Sequence, residues 1–95
     1  MTPARIDEQA LAAAAEVLRG MGARRVFVFG SAIKGRLRPE SDVDMAVEGL
    51  PPAVYFSAVS KVTDILGRPV DLVDLDDRTP IVSYLLASGE LVSVE

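Results

Sequence analysis

RVFVFGSAIKGRLRPESDVDMAV, residues 25–47, is two hydrophobic runs joined by a polar loop, and the layout of those runs decides the fold. Residues 25–29 (RVFVF) are β-branched and aromatic, which predicts a short buried strand. Gly30-Ser31 breaks the run, and a brief helical turn is expected to start at Ser31. Residues 36–41 are a polar loop containing Pro39. Residues 42–47 then alternate, with Val43, Met45 and Val47 on one side and Asp42, Asp44 and Ala46 on the other. That pattern predicts a strand with one apolar side.

Upstream, Thr2-Pro3 reads as a cap followed by proline at the first helical position. An alanine-rich helix is expected to run from there to Arg19, with Ile6, Ala10, Ala14, Val17 and Leu18 on one side and Gly20 as its stop. Downstream, Pro51-Pro52 opens a second helix ending near Leu66, and Gly67 closes it. Residues 70–75 (VDLVDL) read as a third strand, and Thr79-Pro80 repeats the cap signal for a helix ending near Ser88-Gly89. Residues 91–94 complete the pattern as a last short strand. The order predicts an α/β fold: one domain over residues 1–95, a single α/β layer with a mixed β-sheet and flanking helices.

Composition narrows the chemistry. Hydrophobic residues make up 49% of the 95 residues, enough for a packed core, though a modest one at this length. There is no cysteine and no histidine, so disulfides, thiolate chemistry, the usual imidazole base and the usual zinc ligands are all excluded. Any bound metal is therefore expected to be a hard cation on oxygen ligands. A net charge of −4 argues against a nucleic-acid polymer as partner. No apolar run reaches the roughly 20 residues of a membrane span, and no signal peptide is evident, so a cytoplasmic location is expected.

Gly30-Ser31 after a hydrophobic strand reads as a phosphate cradle, but taken alone it reads first as an ordinary strand exit with serine as a cap. Asp42 and Asp44 tip the balance. Residues i and i+2 of a strand project from one face roughly 6–7 Å apart, and two carboxylates so placed repel unless a cation lies between them. Mg²⁺ takes carboxylates and phosphate oxygens together. Asp71 adds a third carboxylate within an apolar run, suited to a metal site or to accepting a proton. Asp74, Asp76 and Asp77 read as strand-end and cap residues. Lys34, Arg36 and Arg38 form a basic stretch beside the cradle that either neutralises phosphate or is simply solvated.

Taken together, Gly30-Ser31-Ala32-Ile33-Lys34-Gly35, Ser41-Asp42-Val43-Asp44 and Val70-Asp71-Leu72-Val73 resemble the minimal nucleotidyltransferases of the polymerase-β-type superfamily. The shared pattern is G-S-x-x-x-G, a short loop, S-D-x-D and a third aspartate in a later strand. The resemblance implies Mg²⁺ (or Mn²⁺), a nucleoside triphosphate such as ATP, and transfer of NMP to a hydroxyl. It implies that Gly30 and Ser31 hold the triphosphate, that Asp42 and Asp44 bind metal, and that Asp71 is third ligand and base. Ile33 departs from the pattern, because that position is commonly small and a bulky residue would narrow the nucleotide entrance.

Minimal members of this kind resemble the antitoxins of two-component pairs whose toxin is a HEPN-type ribonuclease. The resemblance implies transfer of AMP to a tyrosine hydroxyl of that toxin. The alternative is a nucleotide-binding antitoxin that neutralises its partner by stoichiometric occlusion. Residues 80–88 (PIVSYLLAS) carry Ile81, Val82, Tyr84, Leu85 and Leu86 in one short helix; either both sides of this broad arc are buried by the first helix and the last strand, or part of it stays exposed as a partner surface, with Val82 and Leu86 as its outer members.

Overall fold

The computed structural model describes residues 7–30 and 42–94. Helix α1 spans Glu8–Gly20, strand β1 Arg25–Phe29 and strand β2 Val43–Glu48. A 3₁₀ turn at Pro52–Val54 leads into helix α2, Tyr55–Leu66, followed by strand β3, Val70–Asp74, helix α3, Pro80–Ser88, and strand β4, Val92–Ser93. The sheet order is β3-β2-β1-β4. β2 and β3 are parallel, while β1 runs antiparallel to both β2 and β4, so the sheet is mixed.

The start of α1 differs from the sequence expectation. Asp7, not Thr2, is its cap: Gln9 N–H and Ala10 N–H donate to Asp7 Oδ1 at 2.9 and 3.4 Å. An aspartate there satisfies two orphan amides and places negative charge at the helix N-terminus. Thr2, Pro3 and Ile6 lie outside the described residues. The helix buries Ala14, Ala15 and Leu18. With Ala58 of α2, the small side chains of Ala14 and Ala15 let the two helices pack closely, and Leu18 fills the core beneath them against one sheet face. That face contributes Val26, Val28, Val43, Met45, Val47, Val70 and Leu72 to the larger core.

The other face corrects a second expectation. β2 does not have a single apolar side, and the helices do not form a single layer. α3 covers the opposite face, where Val82 and Leu85 pack with Phe29, Ala46 and Leu75 in a smaller core. Ala46, expected beside the aspartates on an open side, has no exposed surface. An interior strand covered on both faces loses the polar alternation that a sheet with one wet face would show. Thr79 caps α3, accepting from Val82 N–H at 3.4 Å, and Pro80 occupies the first turn as expected. Ile81, Tyr84 and Leu86 remain exposed on its outer side. Val82 is thus core, and of the two outer members expected at a partner surface Leu86 alone is free to contact one.

Candidate functional site

The α3 face of the sheet is apolar at one end and acidic at the other. β1 ends where β2 and β3 begin, because it runs antiparallel to β2 and β3 is parallel to β2. At that end Asp44 pairs in register with Phe29 of β1 on one side and with Asp71 of β3 on the other. Adjacent strands lie about 4.8 Å apart, so the two carboxylates are neighbours on one face. Asp42 sits one residue before β2, exposed, at the same end of the sheet.

Gly30 follows directly on β1 and turns with φ +74°, a left-handed conformation that residues with a Cβ avoid. A Cβ built there would lie 2.4 Å from Asp44 Oδ2. The backbone leaving β1 therefore passes over the Asp44 carboxylate, and only glycine allows that approach without moving the carboxylate. This gives a physical reason for the glycine that composition and spacing alone leave open. Ser31, Ile33, Lys34, Arg36 and Arg38, and the helical turn expected at Ser31, lie outside the described residues.

Electrostatics single out the middle carboxylate. Burial pushes the Asp44 carboxyl above its ordinary value, and the charges of Asp71 and then Asp42 push it further the same way. Partial burial in a field of two like charges is the situation a cation relieves. The whole sequence offers oxygen donors and neither histidine nor cysteine, so the donor set fits Mg²⁺ or Mn²⁺. Among the described residues, no three acidic groups are arranged to hold an ion unaided. Mg²⁺ is usually held by one or two carboxylates and completes its shell with water and substrate phosphates.

The three later aspartates work elsewhere. Asp76 N–H donates to Asp74 Oδ1 at 2.9 Å, closing the turn after β3. Gly49 N–H donates to Asp76 Oδ2 at 2.7 Å, and Arg24 lies within ion-pair distance of both Glu48 and Asp76. These contacts tie the ends of β2 and β3 together, at the opposite end of the strands from Asp44. Sequence reasoning assigns no role to Tyr55. It lines a cavity of about 440 Å³ with Asp74 and Asp77 at the outer edge of β3, and its phenol is pushed up by burial and by Asp74, Asp71 and Asp77. Only the folding of α2 against β3 brings them together, so no local motif could reveal it.

A family model described as Polymerase beta, Nucleotidyltransferase matches residues 15–94. No curated protein matches the chain significantly. Several solved structures share its fold. One, a toxin–antitoxin with AMP-PNP, is 22% identical with a TM-score of 0.76, the match covering 95% of this chain and 73% of that one. A second comes from a complex of a tri-AMPylated Shewanella oneidensis HEPN toxin with an MNT antitoxin. It is 20% identical with a TM-score of 0.68, covering 94% of this chain and 72% of that one. A third, assigned as a minimal nucleotidyltransferase, is 27% identical with a TM-score of 0.69, covering 92% of this chain and 95% of that one.

Proposed function

The chain belongs to the polymerase beta nucleotidyltransferase family, and on that premise we propose that it transfers AMP from ATP to a hydroxyl of a partner protein, a HEPN-type ribonuclease toxin, and so acts as its antitoxin. The observation that carries this reading is the left-handed Gly30 laid over Asp44, with Asp44 in register beside Asp71. It combines a backbone that comes close to a ligand with a carboxylate pair short of a cation. The likeness in fold to a toxin–antitoxin with AMP-PNP and to the complex of an AMPylated toxin supports the choice of donor and partner.

In this reading Gly30 and Ser31 hold the triphosphate, and Asp42 and Asp44 hold Mg²⁺, for which Mn²⁺ can substitute. When bound, the ion neutralises phosphate charge and makes pyrophosphate a better leaving group. Asp71 faces the acceptor and takes its proton. The accepting oxygen forms a bond to the α-phosphorus as the bond from that phosphorus to the bridging oxygen breaks; pyrophosphate leaves and the hydroxyl proton passes to the Asp71 carboxylate. A protein without histidine must give that proton to a carboxylate or to water. The short apolar arc left exposed on α3 suits a protein acceptor better than a small molecule.

The test is co-expression with the protein encoded beside it, followed by intact-mass measurement of that partner. The expected result is a partner heavier by one or more AMP groups, unmodified when Asp44→Asn replaces the wild type. A partner that is neutralised equally by Asp44→Asn, with no added mass in either case, would sink transfer and leave stoichiometric occlusion as the mechanism.

A further inference from the structure

β3 is an edge strand: among the described residues no strand pairs with its outer side. Val43 N–H donates to Pro69 O, and Leu75 N–H donates to Val47 O. By the alternation of a strand, residues 69, 71, 73 and 75 turn their backbone groups to β2, so Leu72 presents its N–H and C=O to the open side. An unpaired edge of this kind is a template for another strand. It is also the edge that carries Asp71.

The same edge opens on the cavity of about 440 Å³ lined by Tyr55, Leu72, Asp74, Asp77, Thr79 and Val82. α2 contributes Tyr55 from one side of the sheet, while Thr79 and Val82 come from the start of α3 on the other, so the cavity wraps the strand edge. None of the described residues lining it is cationic, and two are carboxylates. Beside Tyr55, with ring centroids 6.3 Å apart and edge to face, stands Phe56, which is 88% exposed. An aromatic ring left in water next to a half-apolar cleft is the composition of a protein-docking anchor.

We propose that the outer edge of β3 is where the acceptor protein docks: an extended, basic segment adds alongside β3, seats its flanking side chains in the Tyr55–Thr79 cleft, and brings its accepting hydroxyl beside Asp71. This rests on the transfer reading above and names the class of acceptor it takes. Strand addition sets the register. A residue opposite Asp71 on an added strand points to the same sheet face as Asp71 and Asp44, in line with them. Asp74 lies three residues further along β3, with Asp77 beyond it in the turn, so a lysine or arginine three positions from the accepting residue meets their charge. Tyr55 keeps its proton, since its phenol is pushed up by burial and by these carboxylates, and so offers a hydrogen-bond donor to the segment's backbone.

The experiment is fluorescence anisotropy of the full chain with labelled peptides of about ten residues. One carries a single tyrosine with a lysine three positions to either side, which serves both strand directions. A second has glutamates in place of the lysines, and a third has the lysines but alternate backbone amides N-methylated on the pairing edge. The lysine peptide is expected to bind, and each of the others to bind about tenfold more weakly or worse. The double variant Asp74→Asn with Asp77→Asn is expected to lose the preference for lysine over glutamate. Asparagine keeps the oxygen that accepts from Asp76 N–H, so its melting temperature should match the wild type; should it melt early, the three peptides on the wild type decide alone. No binding, equal affinity for the lysine and glutamate peptides, or indifference to N-methylation would each overturn the proposal. A parallel titration with Mg²⁺ and ATP separates the two readings. A chain that binds Mg-ATP but not the lysine peptide loses the docking site only, whereas one that binds the peptide and not Mg-ATP loses both transfer and the acceptor role.

Discussion

The two faces of the sheet are built from the same alternating strands, yet they do different work. Under α1 and α2 the face is apolar along the whole of β2: Val43, Met45 and Val47 are all fully buried. Under α3 the apolar cover stops short. Ala46 has no exposed surface, while Asp44, two residues earlier on the same face, is half-buried, charged, and next to another carboxylate. Helix α3 is only nine residues long and shields one end of its face. The lesson is that one face supplies stability and the uncovered end of the other supplies a site, whose like-charge crowding the first face must offset.

Breaking the covered part of the α3 face should have the largest effect. Val82→Glu places an unpaired carboxylate at a position 3% exposed, and a loss of several kcal/mol is expected, enough to remove most of the stability of a domain this small. Chemical denaturation measures it, and a variant as stable as the wild type would show that α3 is not core. Gly30→Ala comes next. Its left-handed φ costs about 1–2 kcal/mol with a Cβ present, a few °C in melting temperature, and the new methyl displaces the Asp44 carboxylate. Mg-ATP binding should fall far more than stability does. Equal binding by Gly30→Ala would mean that the close approach is incidental.

A smaller effect of opposite sign is expected from Asp44→Asn in metal-free protein. The folded-state value of Asp44 is raised, so its ionised form is disfavoured by folding at neutral pH and its protonated form is not. A neutral amide in place of the carboxylate removes that penalty. Asp44→Asn should therefore melt higher near pH 7, and the gain should fade as pH falls to about 3.9 and below, where Asp44 is protonated folded or unfolded. A gain that grows in acid would contradict the sign. Leu86→Glu should change least, within about 0.5 kcal/mol, because Leu86 is 59% exposed. Its difference from Val82→Glu, read in the same denaturation series, sharpens where the cover of the α3 face ends.

Most of this contrast is legible in the sequence, and the failures have two causes. Strand β1, helix α2 with its Gly67 stop, and the capped α3 follow from local patterns, because proline, glycine and alternation act within a few residues. The pairing of Asp44 with Asp71 is visible only as two acidic strands, and their register becomes physical once β2 and β3 are parallel. What local patterns do not supply is long-range. Ala46 reads as the open side of a strand until α3, far along the chain, folds over it with Val82 and Leu85. Val82 lies on an arc that the pattern leaves either buried or outer, and the same long-range fold decides that it is buried. The Asp7 cap is hidden by a different ambiguity, because Thr2-Pro3 offers an equally good cap signal upstream.

The central claim is that the uncovered acidic end of the α3 face holds the triphosphate together with a divalent cation. Calorimetric titration of ATP into the chain with and without Mg²⁺, repeated with Asp44→Asn, tests it most directly. Binding that requires Mg²⁺ in the wild type and is lost in Asp44→Asn is the predicted result. Equal affinity with and without Mg²⁺, or binding that Asp44→Asn leaves unchanged, would contradict the claim.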